Sequence, residues 1–208
     1  PQGAEKMLIK AIYGSEVPSG GLPLDVEALV NNVATMVGIT DYFDEGLPFI
    51  ERVVTVSGPG VGKPGNLMVP IGTPVREVLD HCQGLNEDTR EVVMGGPMMG
   101  TSLTSLDVPI LKGTSGLLAL TESEVKKTNE YTCIKCGRCV DACPQFLNPS
   151  MYGRLARAGR YEELERHFVA DCVECGSCSF ACPSGIPLVQ LIRVGKSAIR
   201  EQKSKGKG

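Results

Sequence analysis

Apolar and polar positions alternate at helical spacing near the start of the chain. Met7, Leu8, Ala11 and Ile12 predict a helix over Ala4–Ile12. Pro18, Gly20, Gly21 and Pro23 then read as a turn-rich loop. Val26, Leu29, Val30, Val33 and Val37 predict a second helix over Asp25–Thr40, sharing one face, with Asp25 as its N-cap. The pattern then shifts to β-branched runs. Strands are predicted at Arg52–Val56 and Asn66–Ile71, separated by Ser57–Gly65, and at Glu91–Met94, closed by Gly95-Gly96-Pro97. Val108–Leu111 and Gly116–Leu120 are further strand candidates. A short helix over Val75–Cys82 sits among them, with Thr73 as cap and Pro74 at its first position. Strands, one helix and glycine-rich joints make a small mixed module of β-grasp type. Thr121–Asn129 is polar and reads as a linker or a short helix. Beyond it, helices are predicted at Met151–Ala158, Tyr161–Phe168 and Ile186–Lys203.

Composition narrows the function classes. Hydrophobic residues make up 42% of 208, enough for a buried core. The net charge of −3 argues against binding driven by phosphate neutralisation, and 5% aromatics with no Trp argues against a base-stacking platform. No nucleic-acid partner is expected. No run of about 18 apolar residues predicts a membrane span. The first residue is Pro, not Met, and we expect a fragment or a processed product.

Nine cysteines change the picture most, because eight lie in two tight runs. Cys133-x-x-Cys136-x-x-Cys139-x-x-x-Cys143-Pro144 recurs, 39 residues on, as Cys172-x-x-Cys175-x-x-Cys178-x-x-x-Cys182-Pro183. Disulfide frameworks spread their cysteines, and zinc sites use separated C-x-x-C pairs, so neither suits this spacing. The runs match the bacterial ferredoxin pattern, in which the fourth cysteine serves the other cluster. That pattern assigns Cys133, Cys136, Cys139 and Cys182 to one 4Fe–4S cluster, and Cys172, Cys175, Cys178 and Cys143 to a second. Gly137 and Gly176 follow the second cysteine of each run, where the chain turns tightly. The 28 residues between Cys143 and Cys172 exceed the needs of a hairpin ferredoxin and predict a helical two-cluster module. Thiolate ligands imply a reducing compartment. Cys82 reads as a buried structural thiol, and His81 and His167 lack ligand-spaced partners. Arg138, Arg154, Arg157 and Arg160 read either as a solvated face or as a dock for an acidic ferredoxin-like carrier.

Further segments carry a resemblance. Pro1-Gln-Gly-Ala-Glu-Lys-Met-Leu-Ile, Val17-Pro-Ser-Gly-Gly-Leu-Pro-Leu-Asp25 and Val30-Asn31-Asn32-Val33 form one set. Pro64-Gly-Asn-Leu, Ile71-Gly-Thr-Pro and Val93-Met-Gly-Gly-Pro-Met-Met-Gly100 form another, and Lys112-Gly-Thr-Ser-Gly116 leads into the cysteine runs. Together these segments resemble the C subunit of the Rnf electron-transport complex, over essentially the whole chain. The resemblance implies a multi-domain α+β chain. Residues 1–50 would be the C-terminal part of an α/β FMN/NADH-binding domain like the respiratory complex I flavoprotein. Residues 51–120 would be a β-grasp domain of the soluble-ligand-binding (SLBB) type, and 121–208 a helical ferredoxin domain with two 4Fe–4S clusters.

It also implies an oxidoreductase subunit that relays electrons between iron–sulfur clusters, FMN and NAD(H) in an ion-translocating ferredoxin:NAD oxidoreductase. Such a protein would sit peripherally on the cytoplasmic side of the cell membrane, among partner subunits. No catalytic side chain is assigned. FMN contacts carry over to Gly3, Glu5, Asn31, Asn32 and Thr35, with Ala4 and Val30 beside them. The family's glycine-rich FMN/NADH loop lies upstream of these residues, so the intact protein is expected to complete the FMN and NAD(H) sites. Two other readings compete. One is an NADH-dependent cobalamin reductase of the propanediol-utilisation type; the other is a ligand-binding β-grasp module whose clusters only staple the fold.

Overall fold

A computed structural model describes residues 3–125 and 129–205. In chain order the helices are α1 (Glu5–Tyr13), α2 (Val33–Glu45), α3 (Val75–His81), α4 (Arg138–Asp141), α5 (Pro149–Arg157), α6 (Tyr161–Arg166), α7 (Ser177–Phe180) and α8 (Leu188–Lys205). The strands are β1 (Glu51–Ser57), β2 (Gly65–Pro70), β3 (Thr89–Met94), β4 (Thr101–Ser102) and β5 (Gly116–Thr121). The chain divides into two compact units, Pro1–Val30 with Thr128–Gly208, and Asn31–Lys127.

The Asn31–Lys127 unit is built on one five-stranded sheet of order β2-β1-β5-β3-β4. β1 pairs antiparallel with β2 and parallel with β5, so the sheet is mixed, as the β-grasp expectation requires. Arg52, Val54 and Val56 of β1 point to the buried face and their neighbours to the other, the period of two that a half-covered strand shows. Val75, Val78 and Leu79 of α3 close that face against Val54, Val56, Val69, Val92 and Leu117. Each such side chain, fully buried, contributes about 1.5–3 kcal/mol. Cys82 is buried in this core, as expected of a structural thiol.

Two expectations from the sequence differ here, for reasons of backbone hydrogen bonding. Val108–Leu111 is not a strand. Its backbone is spent on the start of α3: Val75 N–H donates to Val108 O (3.0 Å), and Arg76 N–H to Leu106 O (3.0 Å). Those contacts satisfy N–H groups that a helix start leaves orphaned. Thr73 therefore makes no cap, and Pro74 occupies the N-cap position rather than the first turn.

The helix expected over Asp25–Thr40 is also divided. A single 3₁₀ turn, Pro23–Val26, ends at Glu27 in the left-handed region (φ 55°). Asp25 Oδ2 accepts the Leu22 N–H (2.8 Å), which holds that turn. The chain re-enters helix only at Val33, where Asn32 Oδ1 accepts the Ala34 N–H (3.0 Å). Leu29, Val33 and Val37, expected on one inward face, are exposed; α2 turns Gly38 inward against the Phe49 ring.

The other unit joins α1 to a helical bundle. Asn148 caps α5, its Oδ1 accepting the Met151 N–H (3.1 Å), with Pro149 in the first turn. Gly159 (φ 66°) ends the connection before α6. Tyr152, Leu155, Leu164, Val169, Ile192 and Ile199 form the core between α5, α6 and α8. α8 approaches closely because residue 195 is glycine; a Cβ there would stand 2.4 Å from Leu164 Cδ2. The linker expected over Thr121–Asn129 falls partly outside the described residues. Among the described residues, no helix is long and apolar enough to cross a membrane.

Candidate iron–sulfur centre

The two cysteine runs fold onto the same backbone path. Lys135 (φ 56°) and Glu174 (φ 55°) occupy equivalent left-handed positions, followed by Gly137 (φ 81°) and Gly176 (φ 86°). A single helical turn comes next in each run, α4 or α7. Each run then closes alike: Phe146 N–H donates to Cys143 O (3.1 Å), and Gly185 N–H to Cys182 O (3.2 Å). Alternating left- and right-handed residues turn successive N–H groups to one side of a loop, the arrangement that cradles negative charge. Glu174 N–H donates to Cys172 Sγ at 3.4 Å.

Each run contributes three cysteines to one cavity and its fourth to the other. Cys133, Cys136 and Cys139 line one cavity with Cys182. Cys172, Cys175 and Cys178 line the second with Cys143. All eight cysteines expected as ligands are therefore gathered, in the two sets that the ferredoxin pattern assigns. The donor set is thiol throughout. Among the described residues, no group of three or more His, Cys, Asp or Glu is set to hold a single metal ion. Four cysteines line each cavity, the donor set that a four-iron cluster takes, so these residues fit it.

Burial sets the thiol electrostatics. It pushes up the pKa of Cys139 and Cys172, and that of Cys178 to about 11. Such thiols hold their protons at neutral pH, and a metal centre bound there would displace them to solvent as the thiolates form. Burial also pushes the Tyr152 phenol up to about 12; its hydroxyl donates to His167 O (2.5 Å).

Sequence reasoning missed the ionic brace beside the second run. Glu174 accepts from Arg193 Nε (2.9 Å) and Lys196 Nζ (2.9 Å), and Lys196 also donates to Cys172 O (2.6 Å). Burial alone would raise the Glu174 carboxyl, but Lys196 and then Arg193 outweigh it and hold it below the usual range. The one signal in the chain is the three-residue spacing of Arg193 and Lys196, which puts both on one face of α8.

The residues expected at the flavin fall in two groups. Gly3 and Glu5 lie at the start of α1, and Asn31, Asn32 and Thr35 at the start of α2; all five are exposed. Asn32 uses its side chain as the helix cap. The two groups belong to different compact units. Of the four arginines, Arg157 pairs with Glu130 and Arg160 with Glu163. Arg154 lines the Cys133 cavity, and Arg138 is exposed on α4.

Three family models match successive parts of the chain: a Nuo51 FMN-binding domain over residues 1–41, an SLBB domain over 53–102 and a 4Fe-4S dicluster domain over 131–187. The chain is 50% identical over 201 residues to the C subunit of the proton-translocating ferredoxin:NAD(+) oxidoreductase complex of Clostridium ljungdahlii, covering 96% of this chain and 44% of that protein. The chain is homologous to part of the Rnf-complex C subunit. Two further C subunits agree. That of the Na(+)-translocating ferredoxin:NAD(+) oxidoreductase complex of Acetobacterium woodii is 44% identical over 206 residues (99% of this chain, 46% of that protein). That of the ion-translocating oxidoreductase complex of Rhodobacter capsulatus is 44% identical over 205 residues (99% and 40%). The chain thus spans less than half the length of these relatives.

Proposed function

We propose that this chain relays single electrons as part of the C subunit of a membrane-associated, ion-translocating ferredoxin:NAD(+) oxidoreductase. The observation that carries this reading is the pair of cavities, each lined by three cysteines of one run and the fourth of the other. In it, Cys133, Cys136, Cys139 and Cys182 hold one 4Fe–4S cluster, and Cys172, Cys175, Cys178 and Cys143 hold the second. When bound, such a cluster takes up or releases one electron with no change in the chain's covalent bonds. The chain supplies the rest. Its thiolates fix the cluster positions, and its N–H-lined loops offset negative charge. Leu147, Tyr152 and Ile192 keep water from the second cavity.

In the intact protein, Gly3 and Glu5 at the start of α1, and separately Asn31, Asn32 and Thr35 at the start of α2, would supply contacts to FMN, which exchanges hydride equivalents with NAD(H). Helix starts with free N–H groups suit a flavin phosphate. The segments 1–50, 51–120 and 121–208 would act as flavin, β-grasp and ferredoxin parts. Partner subunits would anchor the protein on the cytoplasmic face of the cell membrane, where ferredoxin-like carriers and NAD(H) are available.

Anaerobic reconstitution with iron and sulfide tests the core of this reading. About eight irons per chain, with a spin-coupled two-cluster EPR signal after dithionite reduction, is the expected result. About two zincs per chain and no EPR signal would overturn it.

A further inference from the structure

The two cysteine loops share a backbone and differ in what surrounds it. Lys135 and Glu174 are equivalent positions, both left-handed, both just before the second cysteine of a run. Glu174 is braced by Arg193 and Lys196 of α8. Lys135 is exposed and has no acidic partner among the described residues. The same contrast holds for the cavities. No charged side chain lines the one formed by Cys143, Cys172, Cys175 and Cys178. Lys135, Arg154 and Arg157 line the other, with Glu130 as the single acid, and Glu130 is taken by Arg157. Arg154 too has no acidic partner among the described residues. The Cys133 cavity therefore carries two uncompensated positive charges on its rim.

Exposure of the ligands follows the same asymmetry, while large apolar side chains face solvent near both sets, Phe146 and Phe180 near the second. Cys136 is exposed, whereas its counterpart Cys175 is half-buried. Two large apolar side chains beside Cys136 face solvent, Tyr131 at 64% and Ile134 at 67%. An apolar centre with a cationic rim, beside an exposed cysteine that would hold the cofactor, is what a brief encounter between redox proteins requires. The charges speed and orient the approach, and the apolar contact excludes water without holding the partner long. Electron tunnelling falls steeply with distance, so the cluster with an exposed ligand is the one that exchanges with outside proteins.

We propose that the cavity lined by Cys133, Cys136, Cys139 and Cys182 is the electron port of this chain, and that Lys135 and Arg154 dock a small acidic electron-carrier protein there. The other cluster is internal, with its loop fixed to α8 by Glu174. The step is one electron: the carrier's reduced centre is oxidised by one, the cluster at the port is reduced by one, and no proton or bond moves. Flow in the opposite direction uses the same port. This proposal rests on the electron-relay reading above.

The test uses the full chain loaded anaerobically with both clusters. A reduced acidic bacterial ferredoxin is the probe, in stopped-flow electron transfer and in direct affinity measurement, from low to near-physiological salt. The double substitution Lys135→Glu with Arg154→Glu should lower rate and affinity by about tenfold or more at low salt, and should flatten the salt dependence. Arg200→Glu, on the exposed far part of α8, should leave both within about twofold. An uncharged photoreductant should reduce the double variant and the parent to equal EPR intensity, which shows that the clusters are intact. Unchanged rate and affinity in the double variant would overturn the port. An equal loss in Arg200→Glu would also overturn it, since net charge would then be the cause. So would anionic phospholipid vesicles binding through Lys135 and Arg154 while ferredoxin transfer stayed unchanged, because the rim would then serve a membrane surface. If the photoreductant raised no EPR signal in the parent, the electron-relay reading itself would fall, and the port with it.

Discussion

Gly58 carries the sharpest constraint on a single residue in the sheet unit. Its φ is 104°, and a Cβ there would stand 2.1 Å from the backbone oxygen of Ala119. Both faults are backbone faults, so no rotamer change relieves them. Gly58→Ala should cost about 2–4 kcal/mol, read as a lowered calorimetric transition of the sheet unit with iron content unchanged. From sequence, Gly58 was only one member of a glycine-rich break between strands. Its role depends on β5, some sixty positions away, arriving beside it, and no local pattern carries that. The brace on Glu174 is of the same kind. The acid and its two bases are remote in sequence, and only the packing of α8 against the second cysteine run brings them together.

Elements were legible where the signal was local and misplaced where a distant backbone took over. The helix predicted from Met151 starts two residues earlier, at Pro149 with Asn148 as its cap, and Asn148→Ala should cost about 1 kcal/mol in thermal unfolding of the helical unit. A Ser at the same position should restore most of that. Thr73-Pro74 looked like the same signature and is not, because Val108 and Leu106 supply the acceptors at that helix start. Asp25 looked like a cap and instead holds a 3₁₀ turn, while the capping falls to Asn32, seven residues later. A cap is a competition for a few orphan N–H groups. Sequence names the local competitors, but a passing strand or loop is invisible to it.

At the scale of the molecule, the two runs make sense only as a pair. Because each cavity takes its fourth cysteine from the other run, a single substitution should act on the cavity that the remote run dominates. Cys182→Ser should remove the cluster held with Cys133, Cys136 and Cys139, and Cys143→Ser the one held with Cys172, Cys175 and Cys178. Iron should fall from about eight to about four in each variant. The EPR spectrum of each should lose the coupling between clusters and keep one isolated signal. Equal partial loss from both clusters in both variants would count against the crossed arrangement.

The chemistry expected at the site is legible in the order of residues alone. Thiol spacing, the turn glycines and the repeat are local facts; they carry the expected donor set, cluster class and crossed pairing, and the two cavities are lined by the cysteines in those sets. The order of residues also determined most of the helices and strands, because hydrophobic period and turn residues act over a few positions. What sets the surroundings of the two halves of the repeat apart comes from packing. Cysteine spacing is identical in both runs, and the exchange of Lys135 for Glu174 does not by itself say which loop is braced. The difference lies in what packs alongside: α8 brings Arg193 and Lys196 to Glu174, while Lys135, Arg154 and Cys136 are left facing water. Burial and charge pairing depend on which distant surfaces meet, and that is settled by packing rather than by the order of residues along one loop.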